Sequence, residues 1–475
     1  MFMNARSLFT HMRLAMGVLA LAGTLASCKG TVPVEPTVTA TAGSQPTFST
    51  PSPTSFTPTK TPTVLPPLPL PTRTPAPQGN ITIWAPPRMH SQLETAQQAF
   101  SLEYPGIQVN WVSMDPEEIL QALSASHKAG FSQPDVIYIE TTQIGSAVSM
   151  GVFERPGNAI LNEAEFVPGV LNHARWGGEL YAIPLHMDPV LLFYRRDLLS
   201  KAGMDPDPKS VAQAIPTWDD LLEVCQKIKQ KTGKVCFDLN RASNDGFLYE
   251  TIYRGIPGTY FNSTGKINLA GEDSLLALDT LLRFWRAGVT GDESAWSQAW
   301  LDHLSAGEPS AAFVIGTASL AFDCETWIAP DLPGKWGIVR VPSVSGQAES
   351  GANAGGGYLG IVNGSQNQLA SRLWVATMTQ DPDYLELMLE NGRLFPANLR
   401  AYDQGLVYNP DAYFSGQDLA QIVRDAAGTI GPQVFYSSAY GKIHPLIEKA
   451  IRAAATGILT PEQALKNAEK EYSHP

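Results

Sequence analysis

Residues 28–78 are dominated by Thr, Pro, Ser and Ala, and they separate a short N-terminal segment from the rest of the chain. Such a composition buries too little apolar surface to offset the entropy of ordering the backbone, so this stretch is predicted to be a disordered tether. Its prolines favour an extended, semi-rigid spacer of roughly 3 Å per residue. The fold must therefore be built from the roughly 400 residues that follow, a length typical of two or three domains or lobes.

The residues before the tether have the pattern of a secretion signal. Charged residues, ending with Arg13, precede an apolar run at residues 14–26 that is too short to span a bilayer. Leu25-Ala26-Ser27-Cys28 closes this run and resembles the lipobox of bacterial lipoproteins, in which the cysteine receives a diacylglycerol. We therefore expect residues 1–27 to be a signal peptide. Cys28 would hold the protein on the extracytoplasmic face of the bacterial cell membrane, at the cell surface or in the periplasm. An ordinary cleaved signal is the alternative.

Composition limits the partners of the folded part. A hydrophobic content of 44% is ordinary for a soluble globular protein, and the net charge of −12 argues against binding of nucleic acid or anionic lipid. Besides Cys28 there are three cysteines, and their spacing is unlike that of a metal site, so neither metal nor cofactor is expected. Cys225 and Cys236 flank a predicted turn at Gly233 and are candidates for a disulfide in an oxidising compartment. The alternative is that all three cysteines are buried, reduced thiols. Cys324 has no partner in the proposed disulfide.

Strands and helices alternate from the start of the folded part. Ile81-Thr82-Ile83-Trp84 alternates like a half-buried strand, and residues 135–140 form an apolar run suited to a strand buried on both faces. Ser91 and Glu94 have the spacing of a helix capping box. The pattern predicts an α/β fold with a largely parallel sheet, whose ligands lie beyond the carboxyl ends of the strands. That edge would carry Trp84, Arg88, Glu140, Thr141 and Thr142.

Several different motifs follow one another between Asn80 and Glu471. They are Tyr104-Pro105-Gly106-Ile107, Gly178-Glu179-Leu180-Tyr181-Ala182-Ile183-Pro184, Pro216-Thr217-Trp218-Asp219-Asp220-Leu221, Gly316-Thr317-Ala318-Ser319-Leu320, Gly355-Gly356-Gly357-Tyr358-Leu359-Gly360-Ile361 and Asn391-Gly392-Arg393-Leu394-Phe395-Pro396-Ala397. In this order, behind a secretion signal, they resemble the extracellular solute-binding proteins of carbohydrate ABC importers, the maltose-binding-like group.

The resemblance implies a two-lobed type II periplasmic-binding-protein fold, in which the chain crosses between two α/β lobes more than once. The N-terminal lobe would comprise residues 79–187 and 355–405, and the C-terminal lobe residues 188–354 and 406–475. The resemblance further implies a monomer, without enzymatic activity, that closes on a sugar or oligosaccharide in the interlobe cleft. It would deliver this ligand to ABC permease subunits that work with cytoplasmic ATPases.

The glycine run at residues 355–360 also matches the dinucleotide-binding pattern G-x-G-x-x-G letter by letter. The phosphate-binding glycines of that pattern must open a helix directly, whereas this run leads into the apolar pair Ile361-Val362. A hinge beside the second crossing is the better interpretation, because glycine absorbs large backbone rotations at little cost.

Sugar binding requires aromatic rings for the apolar C–H faces of the sugar, and polar side chains for its hydroxyls. By position in the matching motifs, Trp327 is the first candidate for a stacking ring. Asp188 before the crossing strand, and Glu140 with Thr142 at the end of a strand, are the next candidates. The remaining candidates, each of which has a core or surface role as its alternative, are Tyr358, Arg88, Asn240, Arg241, Trp84 and Phe395.

A lipid-anchored extracellular glycoside hydrolase is the alternative function. Glycoside hydrolysis needs only two suitably separated carboxylates, which a chain with 45 Asp and Glu residues can supply. Other hydrolase signatures are missing from the sequence, since it contains neither H-E-x-x-H nor G-x-S-x-G. An adhesion or scaffold lipoprotein without a small ligand is a third interpretation.

Overall fold

The computed structural model describes residues 77–129, 133–156, 161–241, 246–256, 259–261, 266–344, 346, 351–403, 412–431 and 436–473. These residues belong to one compact unit, Arg73–Pro475. The predicted signal peptide, the predicted lipidation site Cys28 and almost the whole predicted tether lie outside the described residues. No helix within the described ranges is long and apolar enough to cross a membrane.

Strands and helices alternate along the described chain, as the sequence pattern predicts. The strands are β1 (Gly79–Ala85), β2 (Ile107–Ser113), β3 (Val136–Glu140), β4 (Arg175–Trp176), β5 (Glu179–Leu180), β6 (Ile183–Arg195), β7 (Phe237–Asp238), β8 (Thr290–Gly291), β9 (Phe313–Thr317), β10 (Trp336–Arg340), β11 (Asn353–Ile361) and β12 (Phe395–Pro396). The α-helices are α1 (Pro87–Gln92), α2 (Glu94–Glu103), α3 (Pro116–Ala129), α4 (Ile144–Ser149), α5 (Pro168–Asn172), α6 (Arg196–Lys201), α7 (Pro208–Ala214), α8 (Trp218–Thr232), α9 (Gly246–Arg254), α10 (Glu272–Arg286), α11 (Gln298–Ser305), α12 (Leu320–Asp323), α13 (Gln368–Gln380), α14 (Pro382–Glu390), α15 (Arg400–Asp403), α16 (Leu419–Ala427), α17 (Tyr440–Ala455) and α18 (Pro461–Ser473).

The first three long strands form the predicted parallel sheet. Strand β1 pairs in parallel with β2 on one side and with β3 on the other. Ile81 and Ile83 of β1 are buried while Thr82 and Trp84 between them are partly exposed, as expected for a strand with one face on the core. Strand β3 is buried along its length up to Glu140, which lies at its carboxyl end. The α/β expectation is confirmed. The expectation of a largely parallel sheet is wrong, because β11 pairs antiparallel with β3 and β6, and β6 also pairs antiparallel with β9, β10 and β12.

Strand β6 joins two groups of strands. Its first half pairs antiparallel with β11 and β12, and its second half, from Val190 onward, pairs antiparallel with β9 and β10. The resulting strand order is β10-β6-β11-β3-β1-β2. Because one continuous strand runs through both groups, the residues at its midpoint, Asp188 and Pro189, are fixed relative to both.

The glycine run lies in strand β11. Gly356 has a φ of +93°, which disfavours side chains, and a Cβ there would lie 2.4 Å from the carbonyl oxygen of His186. A Cβ on Gly357 would lie 2.3 Å from the ring of Tyr138. These glycines therefore allow β11 to fit between β3 and β6. The run is an antiparallel strand rather than a loop that opens a helix, which excludes the nucleotide interpretation.

A buried ionic cluster lies against the start of β11. Arg254 of α9 donates to the carbonyl oxygen of Asn353 at 2.7 Å and forms a 3.0 Å ion pair with Glu250. His444 of α17 bonds the other Glu250 oxygen at 2.7 Å. Burial acts to raise the pKa of Glu250, but the hydrogen bond with His444 and the charge of Arg254 hold it below its ordinary value. The Glu250 carboxylate therefore stays ionised and keeps Arg254 on the strand.

Two helix starts differ in how they are capped. Thr217 caps α8, and its hydroxyl and the Asp220 carboxylate form a reciprocal capping box. The capping box predicted at Ser91 is wrong. Pro87 already begins α1 there, so the Ser91 hydroxyl donates to the Pro87 carbonyl and α2 begins at Glu94 without a side-chain cap.

Helix α8 is tied to the segment before β7 by a disulfide. Cys225 and Cys236 are bonded, with their Cα atoms 5.1 Å apart. Cys324 is buried with a free thiol, and burial raises its pKa to about 12. The bridge closes a loop with a sequence separation of 11.

Replacing both Cys225 and Cys236 by Ala should lower the free energy of unfolding by about 3 kcal/mol, because the unfolded chain regains the entropy of the open loop. Urea unfolding followed by circular dichroism measures the change. Dithiothreitol should lower the unfolding midpoint of the wild type and leave that of the double variant unchanged. Equal midpoints for oxidised wild type and double variant would contradict the prediction.

Candidate ligand-binding site

Two adjoining cavities lie beside the midpoint of β6 and share Thr317 and Ser319 as a common wall. The polar cavity, of about 240 Å³, is lined by Arg88, Gln92, Glu140, Thr141, Thr142, His186, Met187, Asp188, Thr317, Ser319, Ala354, Gly355, Gly356, Arg393, Leu394 and Phe395. The aromatic cavity, of about 320 Å³, is lined by Phe237, Asp238, Leu239, Phe247, Leu248, Ser294, Ala295, Trp296, Trp300, Phe313, Val314, Ile315, Gly316, Thr317, Ser319, Leu320 and Asp323. The polar cavity contains five of the ten residues that the sequence nominates: Asp188, Glu140, Thr142, Arg88 and Phe395.

Asp188 is the most constrained polar residue of the polar cavity. One carboxylate oxygen accepts the Ser319 N–H at 2.8 Å and the other accepts the Ser319 hydroxyl at 2.6 Å. The Asp188 N–H donates to the side-chain oxygen of Asn353 at 2.8 Å. Burial raises the pKa of Asp188 to about 6, although the hydrogen bonds from Ser319 act to lower it. Asp188 thus links β6, β11 and the segment that precedes α12.

A second carboxylate lies at the end of β3. Glu140 forms a long ion pair of 3.8 Å with Arg88 of α1, and burial raises the pKa of the Glu140 carboxyl. Thr141, which follows it, donates its hydroxyl to the carbonyl oxygen of Gly355 at 2.8 Å and so ties this edge to β11. The predicted meeting of Arg88, Glu140 and Thr142 at the carboxyl end of the strands is found in the structure.

The aromatic cavity supplies an exposed ring. Trp296 is 58% exposed, and its ring centroid lies 5.2 Å from that of the buried Trp300. Ser297 between them caps α11 by accepting the N–H of Trp300. The sequence interpretation missed both tryptophans. Their positions on either side of the capping residue Ser297 predict the start of a helix, but no sequence signal there indicates that the two rings line a cavity.

Trp327, the first nominated stacking residue, lies near the aromatic cavity but not among its lining residues. It is 54% exposed on a π-helical turn, Cys324–Ile328, and its ring N–H donates at 2.9 Å to Asp323, which does line the cavity. Asn240 similarly donates at 3.3 Å to the lining residue Ser294.

The structure places three other nominated residues away from both cavities. Arg241 donates to the carbonyl oxygen of Trp285 at 2.6 Å. Tyr358 has no exposed surface, and its hydroxyl donates to the carbonyl oxygen of Val170 at 2.9 Å, which makes it a core residue rather than a cleft residue. Trp84 is half-buried against the core. Within the described residues, no group of three or more His, Cys, Asp or Glu side chains is placed to hold a metal ion.

Comparison of the chain with known proteins identifies a family model and several relatives that it matches. Residues 87–384 match the family model described as bacterial extracellular solute-binding protein. The chain is 25% identical to a lactose-binding protein from Rhizobium radiobacter over 368 residues, which is 74% of this chain and 83% of the relative. It is 26% identical to an arabinooligosaccharide-binding protein from Bacillus subtilis over 207 residues, 42% of this chain and 46% of the relative.

Solved structures share the fold at low sequence identity. The sugar-binding protein MalE from Xanthomonas citri superposes with a TM-score of 0.69 at 19% identity, over 83% of this chain and 96% of that one. A binding protein from B. animalis subsp. lactis, solved in complex with β-1,6-galactobiose, gives a TM-score of 0.63 at 20% identity, over 83% of this chain and 96% of that one.

Asp188 should make stability depend on pH in a defined direction. Its pKa of about 6 in the folded chain lies above the ordinary 3.8, so the folded state holds the proton more tightly than the unfolded state. Its contribution to the free energy of unfolding is therefore full below about pH 4 and is lost as the pH rises through 6. Comparing urea unfolding of wild type and Asp188→Asn at pH 4, 5, 6 and 7 isolates this contribution.

The stability difference between wild type and Asp188→Asn should shift against the wild type between pH 4 and 7. The exposed Asp425, changed to Asn, is the matched control for removal of a surface carboxylate, and the pH-dependent change should be larger for Asp188→Asn. A constant difference for Asp188→Asn would show that this carboxyl titrates normally.

Proposed function

The chain belongs to the bacterial extracellular solute-binding protein family and has the type II periplasmic-binding-protein fold; on that premise we propose that it is an extracytoplasmic receptor that delivers a sugar or oligosaccharide to an ABC importer. The observation that carries the proposal is the aromatic cavity directly beside the polar one at the midpoint of β6. A sugar ring has apolar C–H faces, which can pack in the aromatic cavity, and polar hydroxyl groups, which can form hydrogen bonds in the polar cavity.

The two cavities divide the recognition of such a ligand. The exposed ring of Trp296 offers a stacking surface, while Arg88, Glu140 and Thr142 offer donors and acceptors for hydroxyl groups. The two volumes taken together fall within the range of small-molecule sites. Thr317 and Ser319 line both cavities, so a ligand longer than one sugar unit can extend past these two residues from one cavity into the other.

We further propose that the two groups of strands belong to two lobes that close on the ligand. The N-terminal lobe would comprise residues 79–187 and 355–405, and the C-terminal lobe residues 188–354 and 406–475. The change of partners along β6 between Pro189 and Val190 supports a crossing at this boundary. Closure would occur by rotation about β6 and β11, the two strands in which the first two proposed lobe boundaries fall.

Membrane attachment and partners complete the proposal. A monomeric receptor attached through a diacylglyceryl group on Cys28, beyond a signal peptide at residues 1–27, would remain near the ABC permease subunits and their cytoplasmic ATPases. The tether at residues 28–78 would give it reach. The relatives described above are named as binding proteins, which supports a receptor rather than the alternative glycoside hydrolase.

A saccharide panel tests the function directly. Purified protein is heated with lactose, arabinooligosaccharides, maltose and β-1,6-galactobiose, and at least one saccharide should raise the unfolding temperature without being cleaved. Chromatography of the recovered saccharides checks for products. Turnover would favour the hydrolase, and the absence of any thermal shift over a wide carbohydrate panel would contradict the receptor.

For a saccharide that binds, Trp296→Ala should weaken binding by about 1–3 kcal/mol through loss of the stacking ring. The same loss is expected for Trp327→Ala if its ring reaches the ligand on closure. Trp176, which is 53% exposed and lines neither cavity, provides the matched control Trp176→Ala. Calorimetry that finds unchanged affinity removes the substituted tryptophan from the site.

The lipid anchor is tested separately. Cys28→Ala should move the protein from the membrane fraction to the soluble fraction in a bacterial host that processes lipoproteins, because the acyl chains have no attachment point. Lys29→Ala is the control and should stay with the membrane. A Cys28→Ala protein that remains membrane-bound would show another mode of attachment.

A further inference from the structure

Arg393 enters the polar cavity from a constrained turn between α14 and β12. Its φ of 54° lies in the left-handed region, which non-glycine residues seldom adopt. Gln92 donates its side-chain N–H to the carbonyl oxygen of the preceding Gly392 at 3.0 Å. A Cβ on Gly392 would lie 2.5 Å from the main-chain oxygen of Gln92, so the turn is packed closely against α1. Unfavoured backbone held by its surroundings is typical of ligand-binding positions.

The side chain of Arg393 is braced by aromatic packing. The guanidinium carbon lies 5.5 Å from the ring centroid of Phe322. Phe322 in turn stacks on Phe395 with centroids 5.2 Å apart and an interplanar angle of 17°. Phe395 is itself a wall of the polar cavity. The stack therefore positions the exposed Arg393 side chain beside the cavity.

The polar cavity is lined by two guanidinium groups, those of Arg88 and Arg393, and by two carboxylates, neither of which pairs with Arg393. Both oxygens of Asp188 already accept hydrogen bonds from Ser319. Glu140 faces Arg88 at 3.8 Å. In the part of the chain that the structure describes, Arg393 forms no ion pair with a carboxylate. A planar guanidinium with free N–H groups in a partly enclosed cavity is suited to donate paired hydrogen bonds to a carboxylate.

Resting on the proposed function, we infer that the ligand is an acidic saccharide and that Arg393 sets this specificity by binding a uronate carboxylate in the polar cavity. The sugar ring that carries the carboxylate would lie beside Phe395 and the Asp188–Ser319 pair. The next sugar unit would extend past Thr317 toward Trp296.

Matched acid and neutral saccharides test this inference by calorimetry on the purified protein. The pairs are D-glucuronate with D-glucose, D-galacturonate with D-galactose, and α-1,4-digalacturonate with α-1,4-galactobiose. The acid member of at least one pair should bind about tenfold or more tightly, as expected for hydrogen bonds to a charged group. Arg393→Gln should weaken binding of the acid member about tenfold more than it weakens binding of the neutral member, so that most of this preference is lost.

Control variants separate recognition from stability. Arg393→Lys keeps the charge but loses the paired geometry, so it should retain only part of the acid preference. Arg286, which pairs with Asp279 away from both cavities, gives the matched control Arg286→Gln, which should alter neither affinity. Unfolding temperatures of all variants confirm that each is folded, and the acid-to-neutral ratio of the wild type is informative without any variant.

Each outcome decides a different point. Neutral saccharides that bind as tightly as their acids, or more tightly, overturn the acidic ligand and leave the sugar receptor standing. An acid preference that survives in folded Arg393→Gln overturns the role of Arg393. Tighter binding of glucose 6-phosphate than of every uronate overturns the carboxylate assignment. If no saccharide of either kind binds, the inference and the proposed function both fail.

Discussion

The hydrogen bonds of Asp188 are the constraint on which the site depends. They join the midpoint of β6 to Ser319 before α12 and, through the main chain, to Asn353 at the start of β11. Asn353 is held from its other side by Arg254, whose charge is balanced by the buried Glu250. A buried charge costs free energy unless it is paired, and both carboxylates here have partners. The two cavities therefore adjoin a junction that is rigid on the scale of side chains.

Backbone strain is concentrated around the cavities. Within the described residues, three non-glycine residues have positive φ, and two of them, Trp296 and Arg393, line the aromatic and the polar cavity respectively. Both are large side chains that project from a tight turn. Such conformations persist only where neighbouring contacts compensate for them, here Trp300 for the tryptophan, and Gln92 and Phe322 for the arginine. The strained backbone at these two positions therefore lowers the stability of the folded chain while it holds one ring and one cation at the cavities.

What the sequence could predict depended on local pattern. The parallel strands followed from alternation and apolar runs, and Arg88 and Glu140 were placed together by the rule that carboxyl ends of parallel strands share an edge. Ser319 and Asp188 are 131 positions apart, and Arg393 is brought to Phe322 only by the folded chain, so no local signal marks them. Tyr358 shows the converse error: its motif pointed to the cleft, but the Val170 carbonyl, 188 positions away, makes it a core residue.

The position of β11 has a consequence for how the chain is made. This strand lies between β3 and β6 in space, but it is synthesised more than 150 residues after β6 ends. Until it is made, β3 and the first half of β6 lack the strand that joins them, although β9 and β10 can already pair with the second half of β6. Long-range pairing of this kind delays folding, because the loop must close before the contacts form. A nascent chain therefore cannot complete this sheet until more than 150 residues beyond β6 have been synthesised.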